Sequence, residues 1–366
     1  FNRTGAGRVQ GHLSVSDGYV RAGTQLSATA ENLSVDMYDI NVLGKGVVNI
    51  HTPETEDIPL GLDVQYDQLT ATRAGESAPF LIGETLHLEY RGSHSTTPDP
   101  GLGLAGLWDD EEARQRRANN SLKLFVDRAT VPDMSALNYH LPPETTLQFA
   151  GGTTELNAEL FFGEETLGGT IQLDSVATQV QIDEQRLKAD LNIDMNLAGG
   201  NPRTFTADFT GSTLRLFNVY VEGEKEKFEG DYWSTSLEVT SGEGVFTQPI
   251  KLSAESLIAV SDTRPLVALF KNRSRTPKWL GNMMSVKNLE GAAEMSLSGG
   301  KLRVPLAYVD SEKAEVGIKA TFFEGEREGM VYARYKKLDT LVKRFDGKRD
   351  VDVIKSRKRF DEYVLP

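Results

Sequence analysis

An uninterrupted alternation of apolar and polar residues in "LKADLNIDMNL" is the feature that most constrains the fold of this chain. Over Leu187–Leu197, six apolar residues alternate with Lys, Asp and Asn. Because successive side chains of a β-strand point to opposite faces, a period of two places all six apolar residues on one face. Strands in globular proteins usually run about 5–6 residues. The pattern therefore predicts an unusually long strand with one apolar face.

Shorter stretches of the same alternation recur along the chain. They include "LNAELFF" from Leu156, "FTADF" from Phe205 and "VGIKATF" from Val316. Turn sequences, among them the pair Gly151-Gly152, separate these stretches. We therefore predict a mainly β protein, an elongated and curled antiparallel sheet that forms a groove, with one apolar and one polar face and a few short helices.

Helical patterns are few and short. "PDMSALNYHLPP" and "TRPLVALFKN" each combine a proline near the start with apolar residues at helical spacing. Near the end, Leu338, Leu341, Val342 and Phe345 are spaced i, i+3, i+4 and i+7, and Gly347 follows as a stop. Residues 336–366 contain ten Lys and Arg against six Asp and Glu. We therefore expect a basic, amphipathic helix in the C-terminal tail.

The glycines of "PDPGLGLAGLWDD" have the G-x-G-x-x-G spacing of a dinucleotide-binding loop. Such a loop requires a strand that runs directly into the first glycine and a following helix with an apolar face. Here the strand pattern "LHLEY" ends at Tyr90, "RGSHSTTPDP" intervenes, and the following "WDDEEARQRRANN" is polar on all sides. We therefore expect an exposed polar loop or helix insertion, and no cofactor.

Composition excludes several other functions. The chain has no cysteine, which excludes disulfides, zinc–thiolate sites, iron–sulfur clusters and cysteine nucleophiles. The five histidines are not spaced as metal ligands, and no nucleophile or phosphate-binding motif is present. A net charge of −13 disfavours contact with nucleic-acid phosphates. We predict no catalytic residue, no metal site and no nucleic-acid partner.

These patterns divide the chain into four segments. A β-rich N-terminal part covers residues 1–92, and the polar insertion covers 93–121. Repeated β-sheet units extend over 122–335, where Phe149/Gly151 and Leu289/Gly291 are comparable points 140 residues apart. The basic helical tail covers 336–366.

The long alternating strands, double-glycine turns and short proline-bounded helices resemble the AsmA-like proteins of Gram-negative envelopes. The stretches "MSALNYHLPPETTLQFAGGTTELNAELFF" and "SDTRPLVALFKN", the second followed by "LEGAAEMSLSGG", carry the resemblance, which extends over roughly residues 10–335. It implies a taco-shaped β-sheet whose hydrophobic groove conducts phospholipid between the inner and outer membranes. It also implies a periplasmic location and an inner-membrane anchor, which we expect in a segment outside the given sequence.

The apolar positions of the alternating strands are the candidate lining of such a groove. An apolar strip binds acyl chains without chemistry, since burial of each CH₂ is favourable by about 0.8 kcal/mol. We predict that phospholipid or another acyl-chain ligand contacts Leu156, Leu160, Phe162, Leu187, Leu191, Ile193, Met195, Leu197, Phe205 and Phe209.

A structural subunit of an envelope assembly is the second hypothesis. In that case the apolar face is a closed core, and the sheet edges or the basic C-terminal tail contact envelope protein partners. Periodicity does not separate an open groove from a closed core. Bound lipid favours the first hypothesis, and a lipid-free protein in a defined assembly favours the second.

Overall fold

The computed structural model describes residues 3–4, 7–16, 19–20, 23–37, 39–52, 60–92, 121–140, 147–163, 165–182, 185–221, 234–245, 247, 251–262, 286–323, 326–345 and 348–365. Contacts divide the chain into two compact units. Unit 1 consists of Phe1–Pro132, Glu155–Gln172 and Gly199–Phe205, and unit 2 consists of Asp133–Thr154, Leu173–Ala198 and Thr206–Pro366.

The described residues form 23 strands, one 3₁₀ helix and one α-helix. The strands are β1 (Arg3–Thr4), β2 (Gly7–His12), β3 (Val15–Ser16), β4 (Tyr19–Val20), β5 (Gln25–Met37), β6 (Ile40–His51), β7 (Leu60–Arg73), β8 (Leu81–Gly92), β9 (Ser121–Val131), β10 (Leu147–Phe162), β11 (Leu167–Ile182), β12 (Gln185–Leu197), β13 (Gly199–Asn201), β14 (Thr206–Asp208), β15 (Thr213–Val221), β16 (Ser234–Val245), β17 (Lys251–Asp262), β18 (Lys287–Ser298), β19 (Lys301–Asp310), β20 (Ala314–Phe323), β21 (Glu326–Tyr335), β22 (Leu338–Phe345) and β23 (Lys348–Asp352). The 3₁₀ helix is Met134–His140 and the α-helix, α1, is Ser356–Glu362. The prediction of a mainly β, antiparallel protein with few helices is confirmed.

Unit 1 is built from long antiparallel neighbours. Strand β5 pairs with β6, β6 with β7, β7 with β8 and β8 with β9. Strands β1 and β2 also pair with β5. Because directly opposed residues of an antiparallel pair point to the same side, the sequence alternation becomes two faces that continue from strand to strand.

Unit 2 contains an antiparallel ladder that runs from β12 to β23. It follows the order β12, β15, β16, β17, β18, β19, β20, β21, β22, β23, and β14 also pairs with β16. Strand β12 has 13 residues and contains the whole alternating stretch Leu187–Leu197, as predicted.

The 3₁₀ helix corresponds to the first internal helix predicted from the sequence. Its first residue, Met134, is 1% exposed, and its sulfur accepts hydrogen bonds from the hydroxyls of Ser175 and Thr178 at 3.0 and 3.4 Å. The helix is therefore fixed to β11 of unit 2 by one buried side chain. The second predicted helix, in "TRPLVALFKN", and the insertion at 93–121 except Ser121 lie outside the described residues.

The predicted C-terminal helix is wrong at residues 338–345, because these residues form strand β22. Leu341 lies beside Tyr332 of β21, whereas Val342 points to the opposite face beside Val331 and Val351. Two adjacent apolar residues therefore serve two faces of one strand, and the i, i+3, i+4 spacing was a coincidence. Asp-Gly follows β22 in the sequence, and this dipeptide is as typical of a hairpin as of a helix stop. The basic C-terminal helix exists, but it is α1.

Helix α1 packs on β20 and β21 through one aromatic side chain. Phe360 is 1% exposed, and its ring lies 5.6 Å from that of Tyr332 and directly over Gly317, where a Cβ atom would come within 2.6 Å of the ring. Lys319 Nζ donates to the carbonyl oxygens of Phe360 and Tyr363 at 2.9 and 2.7 Å, which satisfies carbonyls at the helix end. A glycine on the sheet thus provides the space that the helix fills.

Charged side chains hold the other side of α1. Arg357 Nη1 donates to Tyr308 Oη and to Glu315 Oε2, each at 2.9 Å, and Arg334 also pairs with Glu315. The hydrogen bond to Tyr308 raises the pKa of Arg357 above its ordinary value, and burial raises the pKa of Tyr332. The contact combines an aromatic anchor with a cation on an acidic sheet position.

Among the described strand residues other than glycine, five have a left-handed backbone, with φ between 47° and 58°. In each case the next residue is buried, with an exposure of 8% or less. The five left-handed residues are Gln68, Arg128, Ala177, Asn218 and Asn288. Opposite β6 and β12, the strands β7 and β15 each carry one additional residue at this point, so these are β-bulges. Beyond each bulge the alternation is shifted by one residue, so the positions that face the apolar side change from even-numbered to odd-numbered residues or the reverse.

Candidate functional site

The apolar face of β12 carries five of the predicted lining residues, and Ala189 lies between two of them on the same face. Leu187, Ala189 and Leu191 are buried, Ile193 is half-buried, and Met195 is 38% exposed. Leu187 and Ala189 belong to a packed cluster with Val219, Val260, Leu289 and Ala314 of other strands of unit 2. The face is therefore closed at the Leu187 end of β12 and increasingly open toward Met195.

Strand register extends this face across unit 2 as rows of directly opposed residues. One row begins at the predicted residue Ile193 and crosses eight strands without a charged residue. Its members are Ile193, Leu214, Leu237, Ile258, Gly291, Val309, Val316 and Ala333. A second row, one pleat further along the strands, is Ser256, Ala293, Ala307, Ile318, Val331, Val342 and Val351.

The two faces of unit 2 differ in exposure as well as in polarity. In β17, the residues of the apolar face are buried or half-buried, and the intervening residues from Lys251 to Ala259 are exposed. Ile258, on the apolar face, is half-buried, whereas its neighbour Leu257, on the opposite face, is 51% exposed. Most side chains of the Ile193 row are likewise half-buried, so the face is sheltered yet accessible.

Unit 1 has an apolar face of the same kind. Three successive rows of opposed residues cross β5 to β9, and most of their side chains are half-buried. The rows are Leu26, Ile50, Leu62, Tyr90 and Leu122; Ala28, Val48, Val64, Leu88 and Leu124; and Ala30, Gly46, Tyr66, Leu86 and Val126. Leu69, 1% exposed, closes one end, where a Cβ on Gly83 would lie 3.0 Å from its side chain.

The remaining predicted residues are in different surroundings. Leu156, Leu160 and Phe162 are half-buried in β10, and the intervening Glu159 and Phe161 are exposed. Phe209 is half-buried in unit 2, where its ring fills the space above Gly242. Leu197 is half-buried at the end of β12. Phe205 is not in a strand: it lies in a turn with φ of 53° and is 59% exposed, so its predicted alternation with Phe209 is wrong.

The rows of unit 1 were missed as candidate lining, although their signal is present in the sequence. "LGLDVQY" and "SLKLFVD" both alternate, and they place Leu62, Val64, Leu122 and Leu124 on one face. Only the register shows that these stretches lie in neighbouring ladders, because periodicity carries no information about which strands pair.

The polar face of unit 1 brings together residues that the sequence left scattered. Asp63 lies 3.5 Å from His51 Nδ1, 3.9 Å from His87 Nε2 and 3.2 Å from Arg91 Nη1. His87 stacks on Phe125 with ring centroids 5.9 Å apart. No group of His, Asp and Glu among the described residues has the geometry to hold a metal ion. The cluster is a group of polar side chains on three adjacent strands, with one ion pair between Asp63 and Arg91.

The fold and these faces define a class of protein: an antiparallel β protein with an extended apolar sheet face in each unit. Comparison of the chain with protein-family models, curated proteins and solved structures finds no match. Among the described residues, no helix has both the length and the apolar character needed to cross a bilayer.

Proposed function

We propose that the chain binds the acyl chains of phospholipid, or of a similar ligand, along its apolar sheet faces. The carrying observation is the Ile193 row of unit 2, an uncharged row across eight strands whose side chains are mostly half-buried. Directly opposed residues on neighbouring strands are about 5 Å apart, so such a row offers continuous apolar contact across the strands.

The energetics of acyl-chain transfer support this function. Each CH₂ that leaves water gains about 0.8 kcal/mol, and a row without charges presents no strong barrier to sliding along it. Binding and conduction therefore need neither a catalytic residue nor a cofactor, and the proposed role is not enzymatic. The resemblance to AsmA-like proteins supports a periplasmic role in lipid movement between two membranes.

The partial exposure of the apolar rows favours lipid binding over a closed structural core. In a closed sandwich, the side chains between two sheets reach the packing density of a protein interior. Here Leu62, Val64 and Leu88 of unit 1 and Leu214 and Ile258 of unit 2 are only half-buried. A half-buried apolar surface of this length is typical of a site that a ligand completes.

Lipid extraction with mass spectrometry after gentle purification tests this proposal, together with a native mass measurement. Ile258→Asp places a charge on the apolar face, and Leu257→Asp, one residue away, places the same charge on the opposite face. We expect Ile258→Asp to lose the share of co-purifying phospholipid that unit 2 holds, and Leu257→Asp to keep the wild-type amount. Ile258→Thr, which keeps the β-branched shape, provides a milder variant if the Asp variant fails to fold.

Two results contradict lipid binding. One is a lipid-free wild-type protein with a discrete higher-order mass, which supports the structural-subunit hypothesis. The other is equal lipid content in the Ile258→Asp and Leu257→Asp variants with unchanged circular dichroism, since the lipid is then not held by the apolar face.

A further inference from the structure

The polar face of unit 2 carries a row of opposed residues that α1 covers only in part. Phe360 of α1 lies over Gly317 and Tyr332, and Arg357 reaches Tyr308. The same row continues beyond Tyr308, away from the helix. In order, its members are Glu238, Leu257, Ala292, Tyr308, Gly317, Tyr332 and Leu341.

The uncovered part of this row is apolar at its centre. Leu257 is 51% exposed, its opposed neighbour Ala292 is also exposed, and Leu306 on the next strand is 41% exposed. Leucine side chains on an otherwise polar sheet face gain from burial by a partner, at about 25 cal/mol per Å² of apolar area covered. These three residues form what we name the bare patch.

Acidic residues border the bare patch. Glu255 and Glu294 are directly opposed on β17 and β18 and are both exposed, and Glu294 is opposed on its other side by Leu306. Like charges directly opposite each other on a sheet destabilise it. Glu238 adds a third carboxylate, opposed to Leu257. A cation bound between Glu255 and Glu294 relieves this repulsion.

The docking of α1 shows which chemistry fits this face. There, Arg357 meets the carboxylate of Glu315 while Phe360 fills an apolar space between the strands. The bare patch lies on the same face of the same ladder, and it offers the same combination of carboxylates and apolar surface. Charge complementarity and continuity with the α1 contact therefore point to an occupant like α1.

We propose that the bare patch binds a cationic amphipathic segment of a partner protein, with its basic side chains at Glu255 and Glu294 and an apolar side chain on Leu257 and Ala292. The site is distinct from the lipid-binding faces, because it lies on the opposite side of the same strands. It gives the protein a protein-docking surface in addition to its lipid-binding role.

A labelled synthetic peptide of residues 353–365, VIKSRKRFDEYVL, serves as the probe, since it carries the chemistry of α1. Fluorescence anisotropy with the full chain measures its affinity. We expect binding that weakens with salt, and an affinity about tenfold lower for the Glu255→Gln/Glu294→Gln variant, the loss appropriate to two exposed ion pairs. Removal of the opposed carboxylates is expected to raise the Tm of the same variant by about 1–3 °C. A merely structural role cannot produce weaker binding together with higher stability.

Controls locate the peptide. Glu312→Gln removes one exposed carboxylate from the turn after β19 and is expected to leave affinity unchanged. Leu257→Asp is expected to weaken peptide binding while lipid content stays at the wild-type level, so failure of this proposal and failure of lipid binding are distinguishable. Three results overturn the proposal: no binding, loss of binding in Glu315→Gln but not in Glu255→Gln/Glu294→Gln, or protection of the Leu257 side chain from hydroxyl-radical labelling before peptide is added. The second places the peptide in the α1 site, and the third shows that the chain itself covers the patch.

Discussion

Asp190 has a structural role that its position in the sequence does not reveal. It lies between alternating apolar residues of β12, a pattern typical of a solvent-facing strand position. Its Oδ1 accepts the backbone N–H of Ala177 at 2.8 Å, and its Oδ2 accepts from Asn218 Nδ2 at 2.7 Å. Ala177 and Asn218 are both left-handed residues. One carboxylate therefore contacts two left-handed residues on two strands, β11 and β15.

Replacement of Asp190 by alanine is expected to destabilise unit 2 by about 1–3 kcal/mol, because it removes two charge-assisted hydrogen bonds. Asp194→Ala, four residues along the same strand and on the same face, is the matched control and is expected to change stability by less than about 0.5 kcal/mol. Urea denaturation at neutral pH measures both. Equal effects of the two substitutions would show that Asp190 acts only as a generic surface charge.

Ala177 offers a prediction with the opposite sign. Its φ of 58° places a residue with a Cβ in the left-handed region, which costs about 1–2 kcal/mol relative to glycine. Ala177→Gly is therefore expected to stabilise unit 2 by up to about 1 kcal/mol, since part of this gain is offset by the greater entropy of the unfolded chain. Ala259→Gly, at an exposed position in β17, is expected to destabilise by about 0.5–1 kcal/mol. A lower Tm for Ala177→Gly contradicts the left-handed assignment.

At the scale of the element, period-two alternation was sufficient to predict a strand and its apolar face where the strand had no bulge. The same prediction failed where a bulge occurred. The interval between the buried residues Tyr66 and Leu69 contains the left-handed Gln68, and their i, i+3 spacing is typical of a helix rather than a strand. The error at β22 has a related cause, since Leu341 and Val342 serve opposite faces. The spacing of apolar residues along the sequence indicates only one face of an element. The pairing of distant strands determines which faces of a strand are covered.

Strand β22 can be tested directly because the chain has no cysteine of its own. Val342 and Val351 are directly opposed on β22 and β23, at a Cα separation of about 4.5–5.5 Å for such pairs. A Val342→Cys/Val351→Cys variant is therefore expected to oxidise readily to a disulfide, which requires about 4.4–6.8 Å. The second variant, Leu338→Cys/Val342→Cys, places the two cysteines four positions apart on one chain. In a strand their Cα atoms are about 13 Å apart, whereas in a helix their Cβ atoms are about 6 Å apart. Cross-linking of the second pair instead of the first, measured by thiol titration, would show that residues 338–345 form a helix.

At the scale of the whole molecule, the class of fold and one stripe of the candidate site were predictable from the sequence. Leu187–Leu197 forms the predicted strand, and Ile193 begins an apolar row. The rest of the site was not predictable, because Leu214, Val316 and Ala333 join this row only through the register of separate ladders. Phe205 shows the reverse case, since a suitable spacing does not guarantee a strand.

The presence of an apolar face in each unit gives a prediction about the amount of bound lipid. Val64→Asp places a charge in the apolar face of unit 1, and Ile258→Asp does so in unit 2. If each face holds lipid, each single variant is expected to lose part of the co-purifying phospholipid, and the double variant nearly all of it. The matched control, Gln65→Asp, places its charge on the polar face of β7 and is expected to keep the wild-type amount.

Phosphorus analysis of the purified chains measures this ratio of lipid to protein. Buried charge is costly in an acyl-lined site, because an unpaired carboxylate loses its hydration there. The expected losses in the two units are additive, since the substituted positions lie in different strands of different units. If Val64→Asp leaves lipid unchanged while Ile258→Asp removes all of it, lipid binding belongs to unit 2 alone. In that case the rows of β5 to β9 are covered by protein instead of lipid.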